Sequence, residues 1–133
     1  MKLTLRSEYA LLALIYLSRR NSEGYLPVKK IAEEKNIPAK FLEQILLTLK
    51  RARYLKSVKG QHGGYALAKA PDKIKLSEII RLFDGALAPT ESASKYFYEP
   101  TPIEKEKKLL KLFKGLRDYI SNKLEGTTLA DMC

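Results

Sequence analysis

The sequence predicts a mainly α fold carrying one small β-hairpin, and three observations carry that expectation. Apolar residues recur at helical spacing in five separate segments. Only Tyr54–Ala68 reads as two short strands, and Gly60, Gly63 and Gly64 sit where those strands would turn. The hairpin directly follows a helix, a three-residue turn and a second, basic amphipathic helix, so the fold class is a winged helix-turn-helix extended by a long C-terminal helix. The expected division is residues 1–85 for the winged domain, 86–102 for a loop or linker, and 103–133 for the long helix and its tail.

Ser7 and Glu8 can start a first helix running to about Ser18, whose nearly all-round apolar content suggests a buried central element. Gly24 and Pro27 break the chain. Val28–Lys35 makes a short second helix, and Asn36-Ile37-Pro38 is a turn whose proline suits the first position of the next helix. In that third helix, about Pro38 to Arg53, each residue advances about 100°; with Lys40 at zero, Leu42, Ile45, Leu46 and Leu49 fall at roughly 140–240°. Lys40, Glu43, Gln44 and Arg51 gather on the opposite side. Leu47 also falls there, which is inconsistent unless it meets a thymine methyl, a neighbouring side chain or another protomer.

The hairpin holds Lys56 and Lys59 before its turn and His62 within it. Its glycines allow positive φ and let the backbone approach another surface where a side chain would collide; an ordinary surface hairpin with solvated lysines has the same composition. Lys69–Asp72, with Pro71, is a connector. Leu76, Ile79, Ile80 and Phe83 follow the spacing of a packed helix closed by Gly85. Periodicity then fails from Ala86 to Pro102, a loop framed by Pro89, Pro100 and Pro102.

The last helix is expected over Ile103–Leu124, with Leu109, Leu112, Phe113, Leu116, Ile120 and Leu124 in one stripe and Gly126 placed to end it. A helix this long needs something to pack on: a two-fold partner, or its own domain. Thr128 can cap a final short turn, with Asp131 at the reciprocal position.

Composition narrows the function. At 133 residues the chain can bury one core but not two independent ones. It carries 25 Lys and Arg against 15 Asp and Glu, a formal charge of +10 and a pI of 9.7, which suits a polyanionic partner. Residues 1–66 hold 13 basic and 5 acidic side chains whereas residues 67–133 hold 12 and 10, so the polyanion face belongs to the N-terminal half. Cys133 is the only cysteine, which excludes an intramolecular disulfide and fits a reducing, cytoplasmic setting. The Tyr9–Leu17 apolar run falls well short of the ~20 residues a bilayer requires, so no membrane insertion or secretion is expected. One histidine, no cysteine pair, no phosphate-cradling motif and no clustered carboxylates leave an enzyme without acid, base or nucleophile.

Three pieces stand in order: Ile31-Ala32 to Leu49 with Phe41-Leu-Glu-Gln-Ile45, then Gly60-Gln-His-Gly-Gly-Tyr-Ala-Leu-Ala68, then Thr128-Leu-Ala-Asp-Met132. Together with the opening Lys2-Leu-Thr-Leu-Arg-Ser-Glu-Tyr-Ala10, they resemble the Rrf-two family of bacterial winged-helix regulators over almost the whole chain. The resemblance implies a homodimer that crosses its C-terminal helices and lays Pro38–Lys50 in the major groove of double-stranded DNA. Lys40, Glu43 and Gln44 would then face base edges, with Pro38, Ala39, Phe41, Leu47, Lys50 and Arg51 alongside. Lys59 and the Gly60–Gly64 turn, with Lys56, Gln61, His62 and Tyr65, would lie at the minor groove. Lys2, Ser7, Tyr9 and Lys29 would anchor phosphates. This assignment makes physical sense, because Gln pairs with adenine, Glu accepts from cytosine N4, and cations suit a narrow minor groove.

The sequence departs from the family where cluster-binding members carry three cysteines, the loop equivalent to Ala86–Pro102. That loop has none here, so the expectation is a regulator, in the first instance a repressor, with no cofactor or metal. The alternative is a winged-helix module whose basic face meets RNA or an acidic protein; Glu43 and Gln44 make little sense for a purely electrostatic contact of that kind. Two features stay open. Cys133 is either a redox switch or incidental, and Tyr96, Phe97 and Tyr98 either form an effector pocket or close over the dimer helices.

Overall fold

Thr4 opens the fold. In the computed structural model, which describes residues 1–133, its hydroxyl accepts from the Ser7 amide at 3.3 Å and caps helix α1, Leu5–Arg19. The helix therefore begins two residues ahead of the expected Ser7 start, because the cap lies at Thr4. α1 is the central element: Ala10, Ala13, Leu14, Tyr16 and Leu17 are all buried.

Helix α2 spans Val28–Lys35, as the sequence predicts. Asn36 ends it in the left-handed region (φ 53°, ψ 49°), a conformation Asn tolerates, and the Ile37 amide donates to the Ala32 carbonyl at 2.9 Å. Pro38 is the residue before helix α3, Ala39–Arg51, rather than its first residue; its extended backbone (ψ 126°) feeds the chain into the helix. Leu42, Ile45, Leu46 and Leu49 are fully buried, which is the face the angular argument assigned. The helix stops two residues short of Arg53, which turns the chain at φ 70°.

Strands β1 (Leu55–Val58) and β2 (Gly64–Leu67) pair antiparallel, Leu55 opposite Leu67 and Val58 opposite Gly64. A third piece joins them: Leu26 and Tyr65 exchange backbone hydrogen bonds of 2.9 and 2.8 Å. Helix α4, Leu76–Asp84, buries Ile79 and Ile80 and ends at Gly85 with φ 81°.

The loop after α4 is anchored. Leu87, Ala88, Ser92, Ala93 and Ser94 are buried, Glu91–Ala93 forms a 3-10 turn, and Arg117 donates to the Ala93 carbonyl at 3.0 Å. Helix α5 covers Lys107–Glu125, about 28 Å at 1.5 Å per residue, starting later than Ile103 because Pro102–Lys105 is a separate 3-10 turn. The closing turn, Leu129–Met132, carries the Thr128–Asp131 capping box the sequence predicts. Leu129 is fully buried in the core shared by α1, α3 and the base of the hairpin, and its amide donates to the Ile74 carbonyl at 3.0 Å. The tail thus completes the core of residues 1–85. No helix is long and apolar enough to cross a membrane.

Candidate nucleic-acid interface

Burial of one side of α3 fixes what the other side offers. Lys40, Glu43, Gln44, Lys50 and Arg51 are exposed, together with Pro38 and Ala39 at the start of the helix. No ion pair engages Lys40, Lys50 or Arg51, nor Lys56 or Lys59 in the wing; the salt bridges of the chain lie at Arg20–Glu23, Lys30–Glu23, Arg81–Glu125 and Arg117–Asp118. These cations are left for an external anion. The α3 N terminus has no side-chain cap, so its first amides are also free to meet a phosphate oxygen. Leu47 stays 38% exposed, an apolar spot on this polar face.

Phe41 is turned the other way. Its ring meets Tyr9 edge-on, centroids 5.5 Å apart at 79°, and both rings lean on the core, so this pair sets the angle of α3 against α1. Both rings stay half-buried, so they support α3 from the core side while part of each remains at the surface. Ser7, expected at a phosphate, is completely buried and cannot reach one. Lys2 and Lys29 are exposed.

The wing glycines have a nearer task than approach to DNA. A Cβ on Gly63 would collide with the Val58 carbonyl, and one on Gly64 (φ +153°) with the Leu26 carbonyl, so both serve close approach within the chain itself. Gly60 (φ +112°) faces open space, at a tip formed with exposed Lys59, Gln61 and His62. Tyr65 is held in the seam with Leu26 and half-buried. The sequence reading missed that seam, although Tyr25-Leu26 before Pro27 is the two-residue extended signal for it. Tyr25 also lies under Lys56, whose Nζ is 5.8 Å from its ring centroid.

Tyr54 ties the base of the wing to α4. Its hydroxyl donates to Glu78 at 2.7 Å and Lys69 stands 4.6 Å above its ring. Burial first, and then the hydrogen bond and charge of Glu78, push the phenol well above its ordinary pKa, so it stays a donor. At the other end of α4, Asp84 accepts from the Thr4 amide (3.1 Å) and hydroxyl (2.5 Å); burial opposes its charge, but these hydrogen bonds outweigh it and hold the carboxyl below the usual range.

On α5 only Ser121 is buried. Leu109, Leu112 and Leu116 are 38%, 57% and 44% exposed, while Phe113, Ile120 and Leu124 are half-buried. Tyr119, outside the predicted stripe, is 73% exposed and borders an apolar groove of about 340 Å³ with Met1, Leu3 and Leu124. The stripe is therefore not used up by the chain's own domain.

A helix-turn-helix with a free polar face, a wing beside it and a long helix with unused apolar surface define a winged-helix DNA-binding regulator. The chain belongs to the Rrf2, or Rrf-two, family: the family model described as "Iron-dependent Transcriptional regulator" matches residues 3–133. It is similar to the HTH-type transcriptional regulator CymR of Bacillus subtilis, 33% identical over 132 residues that cover 99% of this chain and 89% of that protein. A putative HTH-type transcriptional regulator of Synechocystis is 35% identical over 132 residues, covering 99% and 87%. Among solved structures, CymR, described as the global cysteine regulator of B. subtilis, superposes with a TM-score of 0.78 at 31% identity, covering 99% of this chain and 95% of that one. T. potens IscR gives 0.76 at 30%, covering 99% and 85%. These relatives are transcriptional regulators, not enzymes.

The family description invokes iron, and the donor set here does not fit an iron-sulfur cluster. Cys133 is the one thiolate source; its thiol donates to the Leu129 carbonyl at 3.3 Å at the far end of the chain, and no three His, Cys, Asp or Glu side chains converge elsewhere.

Proposed function

We propose that the protein is a sequence-specific repressor that acts as a homodimer on an imperfect palindrome, without a cluster. The observation that carries this reading is the pairing of two unused surfaces: unpaired Lys40, Lys50, Arg51, Lys56 and Lys59 around α3 and the wing, and the exposed Leu109, Leu112 and Leu116 on α5. The first surface suits phosphates, with Glu43 and Gln44 offering base-edge chemistry in the major groove. Lys59 and the Gly60–Gly63 tip suit the minor groove. The second surface suits a copy of itself, because a two-fold axis through the α5 stripe would bury both stripes and space two recognition helices for successive half-sites.

An electrophoretic shift on the gene's own upstream region tests the reading, with random duplex and single-stranded RNA as competitors. Preference for the upstream duplex, with binding that falls steeply with salt, is expected. Equal competition by random duplex, or better competition by RNA, rejects it.

A further inference from the structure

Leu47 sits where amphipathic spacing calls for a polar residue. At about 100° per residue from Lys40 it falls at about 340°, between Glu43 at about 300° and Gln44 at about 40°, with Lys40 and Arg51 on the same side. The buried face of α3 is complete without it: Leu42, Ile45, Leu46 and Leu49 are each 0% exposed, whereas Leu47 is 38% exposed. Thr48, its neighbour on the same turn, donates its hydroxyl back to the Gln44 carbonyl at 3.0 Å. Leu47 is thus the apolar centre of a face whose other members are charged or amide side chains.

Three things could cover it, and the structure favours one. The chain's own side chains leave more than a third of it open. A second protomer seated on the α5 stripe lies elsewhere, because α5 packs on α4 and on the turns Glu91–Ala93 and Pro102–Lys105, while α3 packs on α1, α2 and β1. What remains is the surface that Glu43 and Gln44 face.

The major groove displays one apolar group, the C5 methyl of thymine. We propose that Leu47 is a specificity-determining residue that reads a thymine methyl in each half-site, an inference that rests on α3 being the major-groove helix. Leucine offers neither donor nor acceptor, so a base edge that presents only polar groups to it loses water without gaining a bond. Thymine is favoured twice, by the methyl contact and by the cost of its competitors. Its position follows from the helical rise. At 1.5 Å per residue Leu47 lies about 4.5 Å beyond Gln44 and about 6 Å beyond Glu43 along the α3 axis, or one to two base pairs at about 3.4 Å each. The thymine is therefore a near neighbour of the bases that Glu43 and Gln44 face.

The test starts from binding-site selection by the full-length protein. Affinity is then measured for the selected duplex with each thymine in turn replaced by deoxyuridine, which removes the C5 methyl alone. At one thymine per half-site the wild type should bind about fourfold more weakly, the weight of one buried methyl, and 5-methylcytosine at that position should bind more tightly than cytosine. Leu47→Gln keeps the length and helix propensity of the side chain, and should bind thymine and deoxyuridine there alike. The proposal alone is overturned by a selected motif without a methyl-sensitive thymine, a result the wild type gives by itself, or by a deoxyuridine penalty in Leu47→Gln equal to that of the wild type. Selection of no motif at all overturns the repressor reading and this proposal together.

Discussion

Replacing Gly64 with alanine separates two reasons for the glycines of the wing. If they exist to let DNA approach, Gly64→Ala should weaken binding and leave stability intact. The geometry says otherwise, since the added Cβ would collide with the Leu26 carbonyl, and φ of +153° is strained for any residue with a side chain. Relief requires β2 to leave Leu26, which breaks the two hydrogen bonds between Leu26 and Tyr65. About 1–2 kcal/mol of backbone strain and about 1 kcal/mol for each bond give a loss of about 3–4 kcal/mol. Against a typical domain stability of about 5–15 kcal/mol the variant still folds, but with a loosened wing. Gly60→Ala, whose Cβ points into open space, carries the strain alone, about 1–2 kcal/mol. Urea denaturation followed by circular dichroism measures both, and amide exchange at Leu26 and Tyr65 reports the seam. Equal losses in the two variants, or unchanged protection at Leu26 and Tyr65 in Gly64→Ala, would refute the reasoning.

Four further outcomes are expected. Leu129→Ala should cost about 2–5 kcal/mol in urea denaturation, as removal of a fully buried leucine does, because the tail belongs to the core. Leu112→Glu with Leu116→Glu should give a folded monomer by sedimentation and sharply weaker operator binding, both positions being exposed. Glu43→Ala should relax base preference in a binding-site selection, whereas Lys59→Ala should weaken binding to all duplexes alike and flatten the salt dependence by about one phosphate contact. Asp84 has its folded pKa lowered, so its stabilising contribution is complete above the ordinary carboxylate pKa and lost as pH falls through the folded value; Asp84→Asn should flatten the acid limb of a stability–pH curve.

What could be read from the sequence divides along a physical line. The buried face of α3, the bounds of α2 and the Thr128–Asp131 cap follow from local periodicity and local hydrogen bonding, and the structure agrees with each. The start of α1 lies earlier than Ser7 because Thr4, whose hydroxyl accepts from the Ser7 amide, is the cap, and Asp84, eighty residues away, also binds it. The Leu26–Tyr65 seam, the burial of Ser7 and the inward turn of Phe41 are likewise set by distant partners. The polar face of the interface was legible because exposure leaves amphipathic spacing untouched. The ties of α4 to the wing base and to α5 were not, because Glu78–Tyr54 and Arg81–Glu125 each join single residues of separate segments.

The same distant contacts decide how α5 and the wing are joined. α4 carries Arg81 to Glu125 on the last turn of α5, at 2.8 Å, and one turn earlier carries Glu78 to Tyr54 at the base of the wing, at 2.7 Å. Asp84 at its end holds Thr4 and with it the start of α1, whose Tyr9 supports Phe41 of α3. The base of the wing and the start of α1 are therefore both tied to one nine-residue helix, through side chains rather than through the continuous backbone. A substitution that frees Arg81, such as Glu125→Gln, therefore acts on the same helix that holds Glu78 against Tyr54 at the base of the wing.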